Sequence, residues 1–196
     1  SYIIGYGHEE LLALGEAAFA QQGGRRELGA TDIRISSNEN LRGPSPKVIE
    51  ALKAHPSKAL GLGYPPPNVR AFQETIAKKY GATPANVIIA TGSDAILTAA
   101  VMAYATADRP LVTGDPSYGN PVGAAGRIKA TVKAVPVDSA LRLDLDAMIA
   151  AAQGAGLVFL CNPNNPTSTV HTLADIERAV RTIKQRSPET AILIDE

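Results

Sequence analysis

The chain has 196 residues, the size of one large domain. Its 19 Lys and Arg balance 19 Asp and Glu, which argues against a nucleic-acid or anionic-membrane surface built on bulk charge. A hydrophobic share of 45%, with 17 glycines and 14 prolines, fits an ordinary globular core and excludes disorder or low complexity as the main reading.

At the N-terminus, Leu11 to Ala20 superficially resembles the apolar part of an export signal. Glu16 lies inside it, Glu9 and Glu10 precede it, and no basic residues open it, so an amphipathic helix is expected. Arg25-Arg26 follows the apolar stretch, the wrong order for a twin-arginine signal. No apolar run reaches the roughly 18 residues of a membrane span, and a cytoplasmic location is expected. An irregular stretch over 36–43 precedes a helix opened by Ser45, with Pro46 in its first position.

From Asn68 onward, helix and strand patterns alternate. Asn68 is placed to cap a helix with Val69, Phe72, Ile76 and Tyr80 near one face, and Gly81 stops it. Val87-Ile88-Ile89-Ala90 reads as a short buried strand. Residues 93–106 read as a helix apolar nearly all round, hence buried. Strands follow at 111–113 and 130–137. Asp144 caps a helix carrying Leu145, Met148, Ile149 and Ala152. Residues 156–161 form a continuous apolar strand. Thr172 with Asp175 makes a capping box for a helix with Ile176, Ala179, Val180 and Ile183 inward. A last strand, 191–194, leads into Asp195 and Glu196, and its abrupt end suggests a fragment. Apolar strands separated by helices predict an α/β fold: a mostly parallel sheet covered on both faces, a three-layer sandwich.

Metal chemistry has little support. Cys161 is the single cysteine, and His8, His55 and His171 show no paired ligand spacing. Four other places carry chemistry. Thr91-Gly92-Ser93-Asp94 is a strand-to-helix turn whose free N–H groups suit a phosphate, or form a plain helix start. Cys161-Asn162-Pro163-Asn164-Asn165-Pro166-Thr167-Ser168 is a rigid loop directly after a buried strand, where ligands bind in open α/β sheets. Asp195, at the mouth of an apolar strand, calls for a cation or strong donors, such as a protonated ring nitrogen of a cofactor. Tyr118, in Asp115-Pro116-Ser117-Tyr118, is suited to lie on a flat ligand or to pack as a half-buried aromatic.

These segments resemble a known family. Ser36-Ser37-Asn38-Glu39-Asn40, Gly43-Pro44-Ser45-Pro46, Tyr64-Pro65, Gly92-Ser93-Asp94, Asp115-Pro116-Ser117-Tyr118, Arg142-Leu143-Asp144-Leu145-Asp146, Asn162-Pro163-Asn164-Asn165-Pro166-Thr167 and Asp195-Glu196 follow the order of fold-type I aminotransferases dependent on pyridoxal phosphate. The nearest likeness is to the histidinol-phosphate aminotransferase branch. The resemblance implies transfer of an amino group between an amino acid, or an amino-acid-like amine, and a 2-oxo acid. A decarboxylase or lyase on the same fold, or a non-catalytic effector-binding relative, shares the same pocket.

The resemblance also implies roles. Gly92, Ser93 and Asp94 match the phosphate cradle, and Tyr118 the aromatic residue stacked on the pyridine ring. Asn165 matches the partner of the cofactor's phenolic oxygen, and Asp195 the carboxylate paired with the pyridine nitrogen. Tyr64 matches a tyrosine reaching the neighbouring subunit's cofactor phosphate, which implies a homodimer, and Asn38 lies in the segment lining the substrate carboxylate. By the same likeness, residues 1–63 form an N-terminal arm and the start of a small domain, and 64–196 the first part of the cofactor-binding large domain. The Schiff-base lysine is then expected downstream of Glu196, since all eight lysines, Lys184 the last, come earlier. Two positions depart from the family pattern. Leu41-Arg42 replaces a Pro after Asn-Glu-Asn, and Ser168 stands where Gly usually follows Asn-Pro-Thr.

Overall fold

The structure, a computed structural model, describes residues 38, 40, 42–54 and 69–196. The chain divides into two compact units, Ser1–Pro66 and Pro67–Glu196. In the first, helix α1 (Pro46–Ala54) begins where expected. The Ser45 hydroxyl accepts the Val48 N–H at 3.4 Å, and Pro46 gives up an N–H that a first helical turn leaves unbonded anyway. The expected N-terminal helix lies outside the described residues.

The second unit holds α2 (Arg70–Tyr80), a 3-10 turn (Pro84–Asn86), α3 (Ser93–Tyr104), β1 (Leu111–Asp115), α4 (Asn120–Arg127), β2 (Val132–Pro136), α5 (Leu145–Ala151), β3 (Leu157–Cys161), α6 (Leu173–Arg186) and β4 (Ala191–Asp195). The strands pair in parallel in the order β2-β1-β3-β4. Alternation along the strands separates two cores. Leu111, Leu157 and Phe159 pack with Leu97 and Val101 of α3 and with Ala124 and Ala125 of α4. Val112, Val158 and Leu160 pack with Met148 and Ile149 of α5 and with Ile176, Ala179 and Ile183 of α6. The sheet is therefore the middle of three layers. Its central strand β3 is buried throughout, and burying a side chain such as Phe159 stabilises the fold by about 1.5–3 kcal/mol.

The caps read from the sequence form as expected. Gly81 ends α2 in the left-handed region at φ 65°. The Asp144 carboxylate accepts the Ala147 N–H at 2.9 Å. Thr172 and Asp175 form a reciprocal capping box at the start of α6. Before β4, Thr190 is buried and donates to the Ala155 and Ala152 carbonyls at 2.8 and 3.2 Å.

Three expectations are corrected. Residues 87–90 form no strand; Val87 is extended, but Ile88 is 77% exposed, and among the described residues no strand pairs with this segment. Helix α3 is buried on one face only, through Leu97 and Val101, whereas Ala95, Ala99 and Met102 away from that face are exposed. Asn68 lies outside the described residues, and Val69 occupies the cap position of α2 without a side-chain bond. Among the described residues no helix is long and apolar enough to cross a membrane.

Candidate active site

Parallel pairing puts the carboxyl ends of β1, β3 and β4 on one rim of the sheet, where two of the sequence-predicted loops, after β1 and β3, begin and where Asp195 ends β4. Register places Cys161 beside Asp195. Cys161 belongs to the core facing α3 and α4, so Asp195, two residues beyond Leu193 of the same core, points to that face as well.

The asparagine loop divides its side chains between support and exposure. Asn164 is 2% exposed. Its amide nitrogen donates to the Pro116 carbonyl at 3.0 Å and to the Thr167 hydroxyl at 2.8 Å, and its amide oxygen accepts the Ser117 hydroxyl at 2.8 Å. It therefore ties the loop after β3 to the loop after β1. Asn162 bonds the His171 backbone twice, accepting its N–H at 2.8 Å and donating to its carbonyl at 3.2 Å. Asn165 is half-buried, and its side chain makes no hydrogen bond among the described residues. Ser168 closes the loop at φ 58°, donating its N–H to the Asn164 carbonyl at 2.7 Å.

At the amino end of α3, Gly92 has φ 77° and ψ 164° and offers no side-chain cap, a conformation essentially confined to glycine. Gly92, Ser93 and Asp94 are exposed. The half-buried Tyr118 donates its hydroxyl to the Asp94 carboxylate at 2.8 Å. Four residues along α3, the Thr98 hydroxyl donates to the Asn120 side-chain carbonyl at 3.3 Å.

The electrostatics join these parts. Burial first, then the Asp94 charge, push the Asp195 carboxyl above its ordinary range, while the Cys161 thiol, donating to it at 3.9 Å, pulls the other way. Bonding to Asp94 and burial raise the Tyr118 phenol, with the Asp94, Asp195 and Cys161 charges adding to the shift. The Cys161 thiol is raised chiefly by burial, although the Asn165 and Tyr118 N–H groups facing it oppose the shift. Asp94, Tyr118, Asn165 and Asp195 thus converge on one rim, and Asp195 has no cationic partner among the described residues.

Asn38 belongs to the other compact unit, in an exposed turn at φ 51°, and Tyr64 lies outside the described residues. Three contributors lie in the segments singled out above but were assigned no role of their own there: Cys161, Asn164 and Ser117. Cys161 could be found only through strand register, and the support that Asn164 gives depends on partners in the loop after β1, which no local pattern shows. A separate polar cavity of about 240 Å3, lined by Asp138, Arg142, Asp144, Asp146, His171, Asp175 and Arg178 among others, includes none of the predicted site residues. Its four carboxylates are each engaged with a nearby arginine or cap.

A family model described as aminotransferase class I and II matches residues 30–196. The chain is 35% identical over 173 residues to histidinol-phosphate aminotransferase 2 of Carboxydothermus hydrogenoformans, covering 87% of this chain and 46% of that protein. It is 37% identical over 174 residues to the histidinol-phosphate aminotransferase of Moorella thermoacetica, covering 88% of this chain and 44% of the relative. The crystal structure of histidinol-phosphate aminotransferase from Sinorhizobium meliloti in complex with pyridoxal-5'-phosphate superposes with a TM-score of 0.74 at 27% identity, covering 100% of this chain and 52% of that one. Cystalysin from Treponema denticola shares the fold, with a TM-score of 0.70 at 17% identity over 100% of this chain and 51% of its own. The chain spans a little under half the length of the curated relatives it matches. With its parallel three-layer sheet and the polar loops gathered at one rim, this chain belongs to the class I and II aminotransferase family.

Proposed function

We propose that the whole protein is a pyridoxal-phosphate-dependent aminotransferase, moving an amino group between an amino acid or amino-acid-like amine and a 2-oxo acid. The observation that carries this reading is Asp195, a half-buried carboxylate with a raised pKa and no cationic partner among the described residues. Such a group is costly in isolation and favours a cation at its side. A protonated pyridine nitrogen meets that demand, and the surrounding donors suit the rest of the cofactor.

The uncapped α3 amino terminus, exposed at Gly92, Ser93 and Asp94, supplies N–H groups and a helix dipole for the phosphate. The Tyr118 ring is available to stack, and the uncommitted Asn165 amide to bond the phenolic oxygen. By family likeness, Tyr64 matches a tyrosine that reaches the phosphate of a neighbouring subunit in a homodimer, and Asn38 lies in the segment whose family counterpart lines the substrate carboxylate. When bound, pyridoxal phosphate supplies a ring that accepts the negative charge developing at the substrate Cα. Asp195 holds a proton on the ring nitrogen, and Asn165 and Tyr118 fix the ring's position before the reaction begins.

The test uses the full-length protein, freed of cofactor and titrated with pyridoxal phosphate. Saturable binding with a shifted cofactor absorbance, followed by amino transfer from histidinol phosphate or other amino donors to 2-oxoglutarate, is the expected result. D195A is expected to lower kcat by about two powers of ten or more, as loss of a partly desolvated ion pair implies. Wild-type protein that takes up no cofactor, or that releases CO2 instead of transferring nitrogen, overturns the reading.

A further inference from the structure

We propose that Asp94 is a positioning residue that sets the tilt of the Tyr118 ring, and through it the seat of the cofactor. The inference deepens the functional reading above and rests on it. Asp94 occupies the second position of α3, where its charge suits the helix amino terminus. Its carboxylate accepts the Tyr118 hydroxyl at 2.8 Å. A phenol bonded to a charged acceptor is held more firmly than one bonded to a neutral group.

A second bond lies four residues on, from the Thr98 hydroxyl to Asn120 at 3.3 Å. Positions 94 and 98 share one face of α3, and residues 118 and 120 flank the start of α4. The two bonds form a two-rung ladder from α3, one rung to the connection between β1 and α4 and the other to the first residue of α4. Helix α3 is itself fixed to the sheet through the buried Leu97 and Val101. The ring is therefore clamped at its hydroxyl by a helix anchored in the core, not only at its backbone by a loop. A carboxylate next to a phosphate cradle repels that anion unless it is turned elsewhere, and the phenol bond turns it toward the ring side.

Titration of the cofactor-free full-length protein with pyridoxal phosphate tests this in wild type, D94A, D94N, Y118F and D94A/Y118F, with the circular dichroism of bound cofactor as the second readout. D94A and Y118F are each expected to weaken cofactor binding about tenfold and to reduce the dichroic band, as loss of a hydrogen bond to a charged group predicts. D94N, which keeps an acceptor but no charge, falls between them and wild type. The double variant matches Y118F within about twofold, because the two changes remove the same bond. Wild-type binding and dichroism in D94A overturn the inference, as do losses that multiply in the double variant. Should D94A not fold, Y118F reads the bond from its other end with Asp94 and α3 intact, and unchanged binding there overturns the inference. Wild-type protein that binds no cofactor instead overturns the functional reading beneath it.

Discussion

Two glycines and one serine show how backbone geometry, rather than side-chain chemistry, restricts what a position accepts. Gly92 adopts φ 77° and ψ 164° with open space where a Cβ would stand. Any penalty for G92A therefore comes from torsional strain alone, about 1–3 kcal/mol, and thermal denaturation measures it. Gly156 is the opposite case. A Cβ there would lie 1.9 Å from the Tyr104 carbonyl oxygen and 2.8 Å from that of Arg109. Both are backbone atoms that no rotamer change can move, so G156A is expected to cost about 3 kcal/mol or more. Ser168 carries a side chain at φ 58°, where glycine is at ease. S168G relieves the left-handed strain but frees the unfolded chain, for a net gain of about 0.5–1 kcal/mol. A lower melting temperature in S168G would contradict that balance.

Among the elements, α6 offers the clearest link between a sequence signature and a measurable property. Thr172 accepts the Asp175 N–H at 3.2 Å, and its own N–H and hydroxyl donate to the Asp175 carboxylate at 3.2 and 2.6 Å. T172A is expected to cost about 1 kcal/mol at neutral pH. The same bonds hold the Asp175 carboxyl below its ordinary range, so its support is present above the unfolded-chain pKa and is lost as pH falls through the lowered folded value. Melting curves recorded down an acid series should show the gap between T172A and wild type narrowing without closing, because the Asp175 N–H loses its hydroxyl acceptor at every pH. The capping box at Thr172, the turn at Gly81 and the apolar β3 were legible because each is decided by neighbours within a few residues. Residues 87–90 were misread as a strand because a strand needs a partner, and their pattern does not contain one. The exposed side of α3 has the same origin: apolar composition says that a face can be buried, not that something in this chain covers it. Cys161 stayed invisible for a related reason, since its contact with Asp195 exists only through the pairing of two strands 34 residues apart.

For the molecule as a whole, the rim places demands on stability that oppose its proposed task. Asp195 is pushed above its ordinary carboxyl range by burial and by Asp94, so the folded state binds its proton more tightly than the unfolded chain does. The sign of the linkage follows: this carboxyl costs nothing below the unfolded value of about 3.8, and destabilises the fold increasingly as pH rises through the raised folded value. Replacing it with a neutral isostere removes that burden. D195N is therefore expected to melt at a higher temperature than wild type at neutral pH when both lack cofactor, and the advantage should vanish as the pH is brought down through the carboxylate range. Adding pyridoxal phosphate should reverse the order, because a ligand that binds only the folded state stabilises it in proportion to its affinity, and the variant has lost the partner of the ring nitrogen. If D195N melts below wild type without cofactor at neutral pH, Asp195 is a structural carboxylate with a partner of its own, and the case for a cation beside it fails.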